Sequence, residues 1–211
     1  MSPADSPQLH LVTDSRLGKA ELLGAIEAAA NNGVDWVQVR DHSATARELF
    51  DLSQQIVSIC RPLGVRVAVN DRIDVALAVG ADGVQLGSRS LPVSVAKRIA
   101  GPLLVGASVH SLPEAASAER AGADWITFGH FFPTNSHPNE PSRDIADLKV
   151  VANAAGIPVI AIGGIGVDQV GTVLEAGAGG IAVISAILDA PDAGRAAGEL
   201  RAGLDGGRLS T

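Results

Sequence analysis

The sequence is poor in cysteine, in basic residues and in long apolar runs, and each shortage excludes a class of protein. A single cysteine, Cys60, excludes an intramolecular disulfide framework, and its place in the run LSQQIVSIC predicts burial on a helix. Lysine and arginine total 16 against 23 acidic residues, and a net charge of −7 disfavours a nucleic-acid-binding surface without excluding a local anion site. No apolar run reaches the roughly 18 residues of a membrane span. The N-terminus also lacks the basic and apolar regions of a secretory leader, so we expect a cytoplasmic protein.

What the sequence does contain is a strict alternation of short hydrophobic runs with alanine-rich, helix-like segments. Hydrophobic runs of this kind are typical of parallel strands covered on both faces. The 211 residues therefore predict a single α/β domain over 1–211, a (β/α)8 TIM barrel whose catalytic barrel covers about 8–204, with a doubly wound open sheet as the structural rival. Strands are predicted at 9–14, 35–40, 65–70, 82–86, 103–108, 124–129, 158–163 and 179–185, and helices near 19–31, 44–62, 72–79, 92–100, 112–121, 144–155, 167–176 and 192–204.

The run FGHFFPT places an ionisable side chain, His130, where the sixth strand gives way to a loop. Active sites of such barrels lie at the carboxyl ends of the strands. Gly129 gives the backbone freedom, and two phenylalanines follow that can exclude water. An imidazole there can accept a proton near neutral pH, so His130 is the candidate catalytic residue. Thr134, in the same run, is a candidate substrate-binding residue.

Strands two and three end in polar side chains. Alternation along the second strand puts Gln38 and Arg40 on the same face as Trp36, and an inward face would turn them toward a polar ligand. The alternative for Arg40 is a structural ion pair with Asp41 or Asp71. Asn70, at the end of strand three, is a further candidate for the substrate. Asp71 fits either a helix cap or the site.

Strands four and five contribute further candidates. Gln85 can orient a ligand through its amide, and Ser108 is the pocket candidate of the fifth strand. Ser90 is better explained as a helix N-cap. The neighbouring Ser111-Leu-Pro-Glu sequence predicts a capping box, beside which His110 packs or bonds locally. Of the other histidines, His10 is expected inside the barrel, His42 either faces the ligand or is solvated, and His137 is expected in an exposed loop.

The last two strands end in sequences that suit a phosphate group. In many barrels backbone N–H groups of the seventh and eighth loops bind phosphate. Glycines in AIGGIG let the main chain approach a ligand closely, and a serine hydroxyl follows strand eight; the alternative is two tight turns that need glycine. The candidate phosphate-binding residues are Gly163, Gly164, Val183, Ile184 and Ser185.

Taken together, six segments resemble the thiamine phosphate synthase superfamily, and within it the thiazole tautomerase branch. They are QVRDHS, VNDRIDVAL, DGVQLGSRSL, GASVHSLPEA, GADWITFGHFFPT and IPVIAIGGI, and the resemblance extends from LHLVTD to IAVISAI. It implies aromatisation of an exocyclic-alkene carboxythiazole phosphate by proton transfer, without a metal or redox cofactor. The histidine of FGH is the catalytic residue of that branch and falls at His130.

The synthase branch, which is the alternative, couples a pyrimidine pyrophosphate to a thiazole phosphate with Mg²⁺. The resemblance places its first acidic ligand at Asp71 and its second at Ser90, which has no carboxylate. Its two pyrophosphate-binding lysines fall at His42 and His137, and its strand-four histidine falls at Gln85. A third interpretation is a non-catalytic protein that binds thiazole or thiamine phosphates.

One segment departs from the family pattern. The loop NSHPNEPSRD carries two prolines and no lysine, where the family usually has lysine and glycine. The substrate or the cover over the site is therefore expected to differ. Apolar residues on the helices also permit a homodimer.

Overall fold

The eight predicted strands pair in chain order, and the last closes on the first. This arrangement is seen in the computed structural model, which describes residues 6–134 and 141–206. All pairs are parallel, with registers such as His10 opposite Trp36 and Gln8 opposite Gly180. The prediction of a (β/α)8 barrel is thereby confirmed, and the open sheet is excluded. The strands are β1 Gln8–Val12, β2 Trp36–Val39, β3 Arg66–Asn70, β4 Gly83–Leu86, β5 Leu104–Val109, β6 Trp125–Gly129, β7 Val159–Ile162 and β8 Gly180–Val183.

The predicted helices form between the strands, and a further short helix follows β8. That extra helix, Ser185–Leu188, begins at the last residue of the predicted eighth strand, so the strand is shorter than its hydrophobic run suggested. No helix of the described segments is long and apolar enough to cross a membrane. The helices are α1 Lys19–Ala30, α2 Ala46–Cys60, α3 Ile73–Val79, α4 Val93–Ile99, α5 Leu112–Arg120, α6 Ile145–Ala154, α7 Val167–Glu175, α8 Ser185–Leu188 and α9 Ala193–Gly206.

Two separate cores result from the alternation of side chains along each strand. The larger lies between the sheet and the helices, and it includes Cys60, which is fully buried as expected. The smaller fills the barrel interior, where Trp36 and Trp125 pack with ring centroids 5.2 Å apart. Trp36 therefore faces inward, which turns the remaining residues of the same β2 face toward the barrel axis.

The amino end of the interior is closed by an imidazole packed on the tryptophans. His10 stacks on Trp36 with ring centroids 5.7 Å apart, and its Nε2 lies 2.9 Å from Gln8 Oε1. Burial lowers the pKa of His10 to about 3, because the surroundings cannot solvate an imidazolium. His10 is therefore a neutral core residue, as expected. The polar residues that can carry out chemistry lie at the other end of the barrel.

Candidate active site

A cavity of about 690 Å³ opens at the carboxyl ends of the strands. Its volume is in the range of small-molecule sites, and its location is the one at which barrels of this type carry their chemistry. Eleven of the twelve predicted site residues line it, namely Gln38, Arg40, Asn70, Ser108, His130, Thr134, Gly163, Gly164, Val183, Ile184 and Ser185. Only Gln85 among the predicted residues lies outside this lining.

His130 lies directly after β6 and is 8% exposed. Its carbonyl oxygen accepts a hydrogen bond of 2.8 Å from the backbone N–H of Arg143, and Arg143 Nε donates to Gly129 O over 2.8 Å. The same guanidinium lies 5.7 Å from the ring centroid of Phe128. The main chain on both sides of the imidazole is thus held in place by Arg143. Sequence reasoning missed Arg143, because an arginine in an irregular loop has no periodic pattern that would place it.

Gly163, after β7, packs against His130 at a distance that only glycine allows. Its φ is +100°, and an ideal Cβ at this position would overlap the Cβ of His130. Gly164 also has a positive φ, +66°, and a Cβ there would collide with the carbonyl groups of Phe132 and Pro133. The two glycines therefore bring the β7 loop, with its backbone N–H groups, directly against the candidate catalytic residue.

The loop after β8 completes this side of the cavity. Val183 ends β8, Ile184 precedes α8, and Ser185 is the first residue of α8. All three line the cavity together with Gly163 and Gly164. The two loops predicted to bind phosphate therefore line the same cavity, and they contribute two glycines, two aliphatic residues and one hydroxyl group.

A hydrogen-bonded network connects strands β2, β3 and the loop after β4. Gln38 Nε2 donates to Asn70 Oδ1 over 2.9 Å, and Asn70 Nδ2 donates to Asp71 Oδ2 over 2.6 Å. The hydroxyl of Ser90 donates to the other carboxylate oxygen of Asp71 and accepts from Gly87 N–H at 2.7 Å. A carboxylate oxygen can only accept a hydrogen bond, so the NH₂ group of Asn70 must face Asp71. The amide oxygen of Asn70 then faces Gln38 and accepts from its NH₂ group.

The capping prediction for Ser90 is wrong, and of the two alternatives for Asp71 the structure supports the site, whose cavity Asp71 lines. The N-cap of α3 is Arg72, without a side-chain cap bond, so Asp71 does not cap that helix. The N-cap of α4 is Pro92, and Ser90 instead binds Asp71. Asp71 is also the one described non-glycine residue with a positive φ, 63°, a conformation that costs energy and recurs at functional sites.

These acceptors offer a divalent cation a single carboxylate, that of Asp71. Both carboxylate oxygens of Asp71 already accept hydrogen bonds from Asn70 and Ser90. Within the ranges that the structure describes, no group of three or more histidine, cysteine or acidic side chains could hold a metal ion. Mg²⁺ is usually held by one or two carboxylates together with substrate phosphates, and of the two acidic positions of the synthase pattern only Asp71 carries a carboxylate here, so the synthase ligand set is incomplete.

A second network joins strands β4, β5 and β6 and is centred on Gln85. This side chain is 2% exposed and lies beneath the cavity surface, between Trp125 and Ser108. It does not reach the cavity as a ligand group would, whereas Ser108 does. Gln85 therefore supports the lining from below.

Basic groups line the rim near β2 and β4. Arg40 lines the cavity, as expected, and no ion pair with a described carboxylate is seen, so the alternative of a structural ion pair with Asp41 or Asp71 is not supported. Arg89 Nη2 lies 3.4 Å from His42 Nδ1. Partial burial lowers the pKa of His42, and the nearby charges of Arg40 and Arg89 lower it further. This part of the rim can attract an anionic group.

Of the remaining histidines, His110 also lines the cavity. His110 is exposed at the rim, where its backbone N–H donates to Glu114 Oε2 over 2.8 Å. Ser111 Oγ accepts from Glu114 N–H, so the serine half of the predicted capping box forms. His137, and most of the loop that departs from the family pattern, lie outside the described residues.

Comparison with known proteins identifies the family and relatives along nearly the whole chain. The sequence model of the family "Thiamine monophosphate synthase" matches residues 9–187. The thiamine-phosphate synthase of Pyrococcus abyssi is 43% identical over 194 residues, which cover 92% of this chain and 93% of that protein. The thiamine-phosphate synthase of Chloroflexus aurantiacus is 41% identical, with 92% and 91% covered. A solved structure, thiamine phosphate pyrophosphorylase from Pyrococcus furiosus, superposes with a TM-score of 0.89 at 38% identity and covers 98% of this chain and 99% of that one.

Proposed function

The chain belongs to the thiamine monophosphate synthase family, and from this premise we propose that it serves thiamine biosynthesis as a thiazole tautomerase. The proposed reaction converts the exocyclic-alkene tautomer of a carboxythiazole phosphate into the aromatic carboxythiazole phosphate. The observation that carries the proposal is His130, an almost buried imidazole in the cavity, packed against the glycine loop after β7.

The reaction moves protons only. A proton leaves C2 of the ring, the electron pair of that C–H bond enters the ring, and the exocyclic double bond takes up a proton at its outer carbon. Neutral imidazole can accept the first proton, and imidazolium can deliver the second, so His130 can serve both steps. Aromaticity provides the driving force, and the atoms and electrons balance without an oxidant or a metal.

The other residues have binding roles in this proposal. The phosphate would lie against the backbone of Gly163 and Gly164 and of the Val183–Ser185 segment, where N–H groups and a hydroxyl are available. Arg40 and Ser108 would bind the carboxylate. The amides of Gln38 and Asn70, and the hydroxyl of Thr134, would surround the ring.

The second candidate is thiamine-phosphate synthase activity, which the printed names of the relatives favour. That activity needs Mg²⁺ and groups that neutralise a departing pyrophosphate. Here Ser90 binds Asp71 in place of a second acid, and a histidine, His42, occupies a position where the family pattern has lysine. The chemistry of these side chains favours the tautomerase over the coupling reaction, and we derive no step through a metal.

The test is the rate of aromatisation of the tautomer, followed by ultraviolet absorbance. We expect His130→Ala to lose roughly 10²–10⁴-fold in kcat, the usual contribution of a general acid–base group, while it still binds the product. His110→Ala is the matched control, since that imidazole lies at the rim and has no assigned step, and its rate should stay within about threefold of wild type. Equal rates for wild type and His130→Ala would contradict the assignment of His130.

The same measurement distinguishes a non-catalytic binding role from a catalytic one. It would give tight binding of carboxythiazole phosphate with no rate above that of buffer. A cytoplasmic location and a homodimer are further parts of the proposal, and sedimentation of the purified protein tests the second.

A further inference from the structure

A path of hydrogen bonds runs from the barrel interior to the cavity surface. Trp125 Nε1 donates to Gln85 Oε1 over 2.9 Å, and Gln85 Nε2 donates to Ser108 Oγ over 3.0 Å. Trp125 is 5% exposed and Gln85 is 2% exposed, so water does not compete for these bonds. Ser108 is half-buried and lines the cavity.

Space for this path depends on a glycine. An ideal Cβ on Gly106, two residues before Ser108 on β5, would overlap the indole of Trp125 and the amide oxygen of Gln85. Because side chains two apart share a face, Gly106 and Ser108 both point inward, and the missing side chain leaves room for the indole and amide. The path is therefore part of how the barrel interior is packed.

Only one assignment of donors and acceptors is consistent with the hydrogen bonds along this path. An indole N–H can only donate, so the oxygen of the Gln85 amide must face Trp125. The amide nitrogen must then face Ser108, and because that group can only donate, the serine oxygen must accept. The hydroxyl proton of Ser108 is thereby left over, and among the described residues no hydrogen bond donated by this hydroxyl is seen.

We propose that Trp125 and Gln85 act as positioning residues that fix Ser108 as a hydrogen-bond donor to the substrate carboxylate. The identity of that ligand group rests on the proposed function. A glutamine with no fixed orientation would let Ser108 donate to the amide oxygen, and the cavity would then lose its donor. The path therefore selects ligands that place an acceptor beside Ser108.

The experiment is a double-mutant cycle with Gln85→Met, Ser108→Ala and the double variant. Calorimetry gives the affinity of each for carboxythiazole phosphate and for the thiazole phosphate that lacks the carboxylate, and turnover gives KM and kcat. A hydrogen bond to a charged group predicts a roughly tenfold to hundredfold loss of affinity for the carboxylated ligand in each single variant. The double variant should bind no more weakly than Ser108→Ala. Affinity for the ligand without the carboxylate should change less than about threefold, and KM should rise while kcat stays near that of wild type.

Three results would overturn the proposal. They are additive losses in the double variant, equal losses for both ligands, or single variants that bind like wild type. If Gln85→Met does not fold, Trp125→Phe replaces it in the cycle, because loss of the indole N–H frees the amide to rotate. It should weaken binding less than Ser108→Ala and add nothing to that variant.

The outcomes also separate this proposal from the proposed function. Coupled losses in affinity together with no wild-type aromatisation would leave the positioning role standing and remove the tautomerase. Wild-type aromatisation with additive losses would do the opposite. If wild type binds neither ligand, both proposals fail.

Discussion

Gly163 shows how a single residue can determine the geometry of this site. Its positive φ and its contact with His130 are two separate constraints, and both exclude a side chain. An L-residue at φ +100° is strained in any surroundings, and here a Cβ would also push on the imidazole-bearing residue. The local sequence AIGGIG indicates flexibility but cannot indicate which side chain from another strand lies against it.

Gly163→Ala should therefore lower both stability and turnover. We expect the free energy of unfolding to fall by about 1 kcal/mol or more and kcat to fall at least about tenfold, because His130 must move. Gly171→Ala in α7 is the control, since nothing lies within 4 Å of its Cβ position and its φ is ordinary. That change should stabilise the protein by up to about 1 kcal/mol with unchanged kcat. Urea unfolding and steady-state kinetics on both variants provide the measurement, and similar behaviour of the two would contradict this account.

At the scale of elements, α2 shows local sequence determining where a helix begins. Thr45 Oγ1 accepts from Glu48 N–H, and Glu48 Oε2 accepts from Thr45 N–H over 2.8 Å, which completes a capping box. Two N–H groups at the start of the helix, those of Thr45 and Glu48, are thus satisfied by side chains within four residues. Such a cap stabilises helix α2, and it lies away from the cavity.

Thr45→Ala should lower the free energy of unfolding by about 1 kcal/mol through loss of the cap. Ser58→Ala is the control on the same helix, because Ser58 is exposed and donates only to Gln54 O. We expect its effect to stay within about 0.5 kcal/mol. Chemical denaturation distinguishes the two, and an equal loss in both would show that the capping box contributes nothing specific.

The helices and strands were the part of the structure that the sequence predicted best. All eight strands and the helices between them follow from hydrophobic runs and their spacing, because those patterns are set by burial on both faces of a parallel sheet. Helix α8 was missed, since four residues are too few to show helical periodicity. Within the site, Gln38 was placed by alternation along its strand, and Ser108 by its position near the end of the fifth strand. The roles of Gln85, Asp71 and Arg143 depend on partners from other strands and loops, which one-dimensional patterns do not contain.

At the scale of the whole molecule, the two ends of the barrel interior have opposite character. The amino end holds a neutral His10 against two tryptophans, and the carboxyl end holds the polar cavity. Folding therefore favours the neutral, unprotonated form of the His10 imidazole. The folded-state pKa of about 3 lies below the ordinary value of 6.5, so between these values the unfolded chain binds more protons and stability falls as pH falls.

Acidification from pH 7 to pH 5 should lower the free energy of unfolding by about 2 kcal/mol through His10 alone. His10→Gln removes this titration while keeping a neutral polar side chain, so its stability should depend less on pH over the same range. Carboxylates contribute equally to both proteins and cancel in the difference. Urea unfolding at the two pH values gives the comparison, and identical pH dependence in wild type and variant would show that His10 is not buried in its neutral form.

The central claim is that this family member moves protons and does not couple two substrates. The most direct measurement gives wild-type protein the exocyclic-alkene tautomer alone in one reaction. A parallel reaction contains pyrimidine pyrophosphate, thiazole phosphate and Mg²⁺. The account predicts aromatisation at least a hundredfold faster than in buffer in the first and no thiamine phosphate in the second. Thiamine phosphate in the second reaction, with no acceleration in the first, would contradict the claim and assign the chain the activity for which its relatives are named.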